Sequence, residues 1–163
     1  MALLKKCDDL LARLEGVLLI LVLVLMVTLS FGQVVARNLF GQGWVWADLL
    51  VRQLVLWVGF LGASLAVRER KHLAIDFLPN LVSPTARRWV RGLAHLAAGI
   101  ISLFLARASW SFLQFEREGG STLFGDIPNW WFQTILPYSL AVIGVRFLFR
   151  SLQDFRGQTG EGP

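Results

Sequence analysis

The chain alternates between long apolar blocks and short polar connections, and this pattern predicts its secondary structure. Four blocks are each long enough to cross the hydrocarbon core of a bilayer, which takes roughly 20 helical residues. They cover residues 15–36, 48–67, 92–115 and 130–149. Pro137 lies in the fourth block, where a proline can kink a membrane helix. The pattern therefore predicts an all-α integral membrane protein with four transmembrane helices.

Two further segments have the pattern of amphipathic helices that lie on a membrane surface. From Leu3 to Leu14, apolar residues share one helical face and charged residues take the other. After the charged sequence RERK, a narrow polar stripe runs along an otherwise apolar segment that Pro79 interrupts. His72 and Asp76 lie four residues apart on that stripe and can pair. We expect interfacial helices at the N-terminus and in the loop between the second and third spans.

The first block has a second interpretation, because Lys5 and Lys6 precede it as they would precede the core of a signal peptide. Its apolar core is longer than the usual 7–15 residues, and three more spans follow it. We therefore expect one four-helix membrane domain over residues 1–154. The polar, Gly-rich segment 155–163 is predicted to be disordered.

Composition and charge exclude several classes of protein. The chain has 163 residues, of which 55% are hydrophobic, and a net charge of +5. Most Lys and Arg residues lie at the ends of apolar blocks, whereas a nucleic-acid binder clusters them on a soluble face. The single cysteine, Cys7, excludes an internal disulfide framework.

The distribution of Lys and Arg also predicts the orientation. They concentrate before the first block, in the loop between the second and third blocks, and from the end of the fourth block onward, where Arg146, Arg150 and Arg156 lie. The other two loops hold only Arg37 and Arg117. By the positive-inside rule, both termini and the middle loop are cytoplasmic, and short periplasmic loops lie near Gly41 and Gly120.

Among the charged residues inside the predicted spans, Asp48, Arg52 and Arg107 are the candidates for an intramembrane role. Asp48 lies one helical turn before Arg52, and pairing the two costs less than leaving the arginine alone in lipid. Two interpretations remain open. Both arginines extend to the outer lipid head groups, or the Asp48–Arg52 pair faces another protein.

Small residues form a predicted packing face on the second span. The face contains Gly59, Gly62, Ala63 and Ala66, whose small-xxx-small spacing lets helix backbones approach closely. The third span has Ala94/Ala98 and Ser102/Ala106 at the same spacing. These faces pack either within the chain's own four helices or against another subunit.

The sequence offers no catalytic residue, cofactor site or metal site, and we predict that the chain is not an enzyme. His95 in the third span is the candidate for haem ligation, but a second histidine would have to face it, and His72 lies in a loop. The alternatives are a membrane-anchor subunit of a respiratory enzyme, with haem or quinone, and a small channel made by oligomerisation.

Several segments in a fixed order resemble the small membrane subunit of tripartite ATP-independent periplasmic (TRAP) transporters, the DctQ family. They read ADLLVRQLVLWVGFLGASLAVR, KHLAIDFL, SPTARR and IPNWWFQTILPYSLAVIG. Together with the four-span layout, the resemblance covers nearly the whole chain.

The resemblance implies a role without a transport site in this chain. A periplasmic binding protein captures an organic acid, and a large membrane subunit on a separate chain carries it, driven by sodium that binds there. The small subunit braces the large one in the bacterial inner membrane, surrounded by phospholipid, and helps to form the docking surface for the binding protein. No nucleic acid is expected as a partner.

Three acids in the third loop are the predicted docking residues: Glu116, Glu118 and Asp126. Trp130 and Trp131 nearby fit an aromatic belt at the level of the head groups. Lipid anchoring does not explain the acids, which pair with Arg37 and Arg117 or meet basic residues of the binding protein.

Overall fold

The computed structural model describes residues 2–68 and 84–156, which form four long helices with a small hairpin before the last one. The helices are α1 (Ala2–Phe40), α2 (Val45–Arg68), α3 (Pro84–Gly119) and α5 (Ile135–Arg156), and between the last two lie β1 (Thr122–Phe124), β2 (Ile127–Pro128) and α4 (Trp130–Gln133). Segments Asp8–Phe40, Val45–Arg68, Arg88–Gly119 and Trp130–Phe155 are long and apolar enough to cross a membrane. The predicted all-α membrane fold with four spans is confirmed.

Helix α1 is longer than predicted, because the N-terminal segment and the first span form one unbroken helix of 39 residues. At 1.5 Å per residue it is about 58 Å long, well beyond a bilayer core. No proline interrupts residues 2–40. Asp8 and Glu15 contact other helices of the bundle, so this segment is part of the bundle, where the sequence predicted a separate surface helix.

Glycine and proline set the ends of the helices. Gly41 follows α1 with φ +70° and donates its N–H to the carbonyl of Arg37 at 3.1 Å, a left-handed cap that suits glycine. Gly120 follows α3 with φ +62°. Pro137 lies in the first turn of α5, where its missing N–H explains the break at Thr134 between α4 and α5. The proline therefore starts the last helix and does not kink its middle.

A close crossing joins α3 to α5 through two glycines. A Cβ placed on Gly99 would lie 2.8 Å from Leu148 Cδ2 and 3.3 Å from the carbonyl oxygen of Gly144. A Cβ on Gly144 would lie 2.9 Å from Leu103 Cδ2 and 3.3 Å from the carbonyl oxygen of Gly99. Only glycine permits this approach of two helix backbones. The small-residue faces predicted from the sequence did not include Gly99 or Gly144, so this tight contact was not predicted.

The helices run up and down, which gives the bundle two distinct ends. Helix α2 packs between α1 and α5, and α5 packs on α3. One end, the terminal end, holds Ala2, Arg68, Pro84 and Arg156. The other, the hairpin end, holds the loop after α1 and the antiparallel strands β1 and β2.

A buried polar network as the candidate functional site

One guanidinium, that of Arg146 on α5, joins three helices inside the bundle. Its Nε lies 2.9 Å from Asp8 Oδ1, and its Nη1 lies 3.0 Å from Glu15 Oε2, both on α1. The same Nη1 donates to the backbone carbonyl of Ser64 on α2 at 2.7 Å. Arg146 is only 7% exposed. A buried arginine is tolerated here because two carboxylates compensate its charge.

Glu15 is the buried acceptor of this network, with an exposed fraction of 2%. Besides Arg146, it accepts hydrogen bonds from Ser64 Oγ at 3.1 Å and from the Tyr138 hydroxyl at 3.4 Å. Helices α1, α2 and α5 therefore converge on a single carboxylate. In a membrane, where the surroundings are as apolar as the helix faces, such polar contacts help to hold helices together.

The network continues to the terminal end through Arg68. Its Nε lies 3.4 Å from Asp8 Oδ2, and its Nη2 donates to Asp9. The backbone carbonyl of Arg68 accepts a hydrogen bond from Arg150 Nη2 at 2.8 Å. These side chains are half-buried or exposed, so the network runs from the surface into the bundle.

A second polar cluster joins α3 to the end of α5. His95 Nδ1 lies 2.5 Å from Asp154 Oδ2, and both side chains are buried. Arg88 donates to the backbone carbonyls of Asp154 and Phe155 in the last turn of α5. Ser151 Oγ donates to the carbonyl of Gly92 at 2.9 Å. His95 therefore links α3 to α5 through its hydrogen bond with Asp154.

At the hairpin end, Asn129 is the common partner of two helices. Its Nδ2 donates to Glu116 Oε1 of α3 at 2.9 Å, and its Oδ1 accepts from Gln53 Nε2 of α2 at 3.1 Å. Glu116 also accepts a hydrogen bond from Ser121. Trp57 Nε1 donates to the carbonyl of Phe132 at 2.8 Å. These bonds fix the hairpin and α4 on top of α2 and α3.

The predicted docking acids therefore differ in their surroundings. The carboxylate of Glu116 is engaged within the chain, and not with Arg37 or Arg117. Arg117 lies instead over the ring of Trp130, 5.5 Å from its centroid. Glu118 and Asp126 are exposed. Only these two acids present an outward charge, and their role in docking stays a prediction.

The predicted Asp48–Arg52 pair is present in the structure. Arg52 Nη2 lies 3.1 Å from Asp48 Oδ2, and the two side chains are 74% and 48% exposed. Arg107 is also exposed. Asp48 is half-buried, and all three side chains are accessible to lipid or another protein.

The small-residue face of α2 is also directed outward. A Cβ added at Gly59 or Gly62 would find no atom within 4 Å. Gly59 and Ala63 are exposed, and Ala66 is half-buried. At the two glycines the described helices make no close contact, so this face is open to lipid or to another subunit, and its role as a subunit interface stays a prediction.

The interfacial pair predicted for the second loop, His72 and Asp76, lies outside the described residues. Among the residues that are described, no group of three or more His, Cys, Asp and Glu side chains could hold a metal ion.

Sequence reasoning missed the buried network, although a signal for it exists. Glu15 and Arg146 both lie within the apolar segments, where an ionisable residue points to a partner. Arg146 contributed only to the charge count that predicts orientation. The sequence could have suggested that Glu15 on the first span pairs with Arg146 on the fourth. It could not have shown that Ser64 bonds both of them.

Comparison with known proteins identifies what this chain resembles. Residues 26–157 match the family described as "Tripartite ATP-independent periplasmic transporters, DctQ component". The chain is 30% identical over 122 residues to the sialic acid TRAP transporter permease protein SiaT of Haemophilus influenzae, which covers 74% of this chain and 19% of that protein. It is 31% identical over 127 residues to the C4-dicarboxylate TRAP transporter small permease protein DctQ of Pseudomonas aeruginosa, covering 74% of this chain and 60% of that protein. It is 22% identical over 148 residues to the ectoine TRAP transporter small permease protein TeaB of Halomonas elongata, covering 90% of this chain and 77% of that protein.

Proposed function

Because this chain belongs to the DctQ component family of tripartite ATP-independent periplasmic transporters, we propose that it is the small membrane subunit of a sodium-coupled transporter that imports an organic acid. The family is a transporter component and not an enzyme, which agrees with the prediction for this chain. Sialic acid and C4-dicarboxylates, named for two relatives, are organic acids and favour that substrate class.

The proposed role is to brace a large membrane subunit, which carries the substrate and binds sodium. The carboxylate of Glu15 and the Nε and Nη1 atoms of Arg146 form hydrogen bonds between helices, as in a scaffold. The match to SiaT spans about a fifth of that permease. A relative in which the corresponding stretch is a small part of a longer permease supports a large partner for this chain.

The outward small-residue face of α2 is the proposed contact with the large subunit. Gly59 and Ala63 lie four residues apart and are both exposed. Small residues at this spacing let a second helix approach to backbone contact. This open face is the observation that carries the proposal.

The test is assembly of the variant Gly59→Leu with the large subunit. A leucine in a tight contact typically costs about 1–3 kcal/mol, so we expect less large subunit to co-purify, while the isolated variant keeps its helical content. Gly16→Leu is the matched control, because Gly16 is also a helical glycine with open space at its Cβ. Assembly of Gly59→Leu at the wild-type level would refute this interface.

The transport role has its own test in proteoliposomes. With the large subunit, the binding protein and an inward sodium gradient, uptake of an organic acid is expected only when this chain is present. Uptake of equal rate without it would contradict the bracing role, and uptake without sodium would contradict the coupling.

The binding protein is proposed to dock at the hairpin end, through Glu118 and Asp126. This requires the hairpin end to be periplasmic and both termini cytoplasmic, in the bacterial inner membrane. The bonds of Glu116 support the proposal indirectly, because they hold the hairpin that presents Asp126.

A further inference from the structure

A charged cleft lies at the hairpin end, at the junction of α1 and α2 and apart from the polar network. Its volume is about 270 Å³. Its charged lining consists of Arg37 in the last turn of α1 together with Asp48 and Arg52 at the start of α2. The volume is below the roughly 300–1,000 Å³ of typical small-molecule pockets, so the cleft suits a compact polar group.

The walls of the cleft are held by the loop between the two helices. The side-chain amide of Gln33 bonds the backbone of Trp44 twice, with Nε2 donating to the carbonyl at 2.5 Å and Oε1 accepting from the N–H at 2.9 Å. A Cβ added at Gly43 would lie 2.9 Å from Arg37 Nε. The polar atoms of Gln33 are thus occupied. Arg37 lies beside the exposed Asp48–Arg52 ion pair, and a single ion-pair contact leaves further N–H donors on Arg52 and further acceptor positions on Asp48 for a ligand.

These charges have mixed sign, which restricts the ligand. A guanidinium binds phosphate oxygens with its fork of N–H groups, and a carboxylate accepts hydrogen bonds from an ammonium. A simple anion would face the carboxylate of Asp48, which lies 3.1 Å from Arg52. A simple cation would face two arginines. A group that carries a phosphate and an amine together satisfies both signs.

The surroundings of the cleft are those of a membrane boundary. It lies where the candidate spans Asp8–Phe40 and Val45–Arg68 end and begin. Its neighbours Leu39, Phe40 and Val45 are large apolar residues that are exposed. Trp44 and Trp46 are exposed as well, and tryptophan is enriched at membrane–water interfaces. These exposed apolar residues can contact the acyl chains of a lipid, whereas a small soluble ligand in the cleft would leave them exposed to water.

We propose that this cleft binds the head group of a phospholipid that carries both a phosphate and an amine, as phosphatidylethanolamine does. Arg37 and Arg52 bind the phosphate, and Asp48 accepts from the ammonium. The inference concerns the membrane around this chain and is independent of the transported substrate.

The test measures which lipid stays bound to the full-length chain. The protein is placed in nanodiscs of phosphatidylethanolamine and phosphatidylglycerol in equal amounts, transferred to detergent, and analysed by native mass spectrometry. We expect the wild type to retain phosphatidylethanolamine over phosphatidylglycerol. The double variant Arg37→Gln/Arg52→Gln is expected to lose about tenfold of that lipid, because it removes charge-assisted hydrogen bonds. Arg107→Gln, which changes an exposed arginine elsewhere, should retain it.

Two more variants distinguish a loss of lipid binding caused by a changed charge from a loss caused by misfolding. Asp48→Asn is expected to lower the preference for phosphatidylethanolamine, since only that head group offers an ammonium. Arg37→Lys/Arg52→Lys keeps both charges and should retain the preference even if the glutamine variant does not fold. Equal retention of both lipids by the wild type, or unchanged retention by a folded glutamine variant, would overturn the proposal. Displacement by soluble glycerophosphoethanolamine at matched concentration would show that the acyl chains play no part, and would overturn it too.

Discussion

At the scale of single residues, the burial of a charged side chain decides how much its ion pair contributes to the stability of the fold. Arg146 and Arg52 both pair with a carboxylate at about the same distance, 2.9 and 3.1 Å. Arg146 is buried and bonds two other helices, whereas Arg52 is exposed and pairs with a residue of its own helix. A buried pair that loses one partner leaves an uncompensated charge, while an exposed pair is screened.

This difference predicts unequal effects of two identical substitutions. Arg146→Ala should lower the free energy of unfolding by about 3–5 kcal/mol, because Glu15 stays buried without its cation. Arg52→Ala should lower it by less than about 1 kcal/mol. Thermal unfolding in detergent, followed by circular dichroism, measures both. Similar midpoints for the two variants would contradict a structural role for the network.

At the scale of helices, two kinds of glycine occur in the bundle. Gly99 and Gly144 permit the crossing of α3 and α5, and Gly59 has open space around it. Glycine is unfavourable in a helix by up to about 1 kcal/mol relative to alanine. Sterics explain the glycines at the crossing, whereas no contact within the described part of the chain requires a glycine at position 59.

Alanine substitutions distinguish the two kinds. Gly99→Ala should destabilise the isolated chain by about 1–3 kcal/mol, because the added methyl group overlaps Leu148 and approaches the backbone of α5. Gly59→Ala should be neutral or slightly stabilising in the isolated chain. Chemical unfolding of both variants in the same detergent provides the measurement. A stabilised Gly99→Ala variant would mean that the crossing is looser than described.

Some features of these helices can be predicted from the sequence, because they depend only on local composition. Others depend on how the helices pack and cannot be predicted in this way. Apolar length predicts the spans, because lipid requires about 20 apolar residues wherever a helix crosses it. It does not predict where a helix ends in water, so α1 and α3 extend beyond the predicted blocks. Long-range pairs such as Glu15–Arg146, which lie 131 positions apart in the sequence, depend on how the helices are arranged. The crossing at Gly99 and Gly144 depends on it in the same way, and the outward direction of the Gly59 face became visible only with the bundle assembled.

At the scale of the whole molecule, the two ends of the bundle differ in what they can contact. The terminal end carries arginines tied to carboxylates of α1. The hairpin end carries a fixed hairpin, exposed tryptophans and the exposed acids Glu118 and Asp126. The proposed docking is possible only if the hairpin end faces the periplasm.

Thiol labelling tests that orientation. In a Cys7→Ala background, Glu118→Cys should react with a membrane-impermeant thiol reagent added to intact spheroplasts. Lys6→Cys, at the terminal end, should react only after the membrane is permeabilised, because the Lys and Arg bias retains that end inside. Glu118 suits the experiment better than its neighbour Gly120, whose positive φ disfavours a side chain. The reverse labelling pattern would exclude docking at the hairpin.

The distance along the chain between Glu15 and Arg146 also has a consequence for biosynthesis. The first helix leaves the ribosome with its acids, and their basic partner follows 131 residues later. At 5–20 residues per second, the carboxylate of Glu15 waits roughly 7–26 seconds for Arg146. During that interval the nascent first helix carries an uncompensated charge that lipid does not accept. The contacts of α1 with Arg146 can therefore form only after α5 has been synthesised.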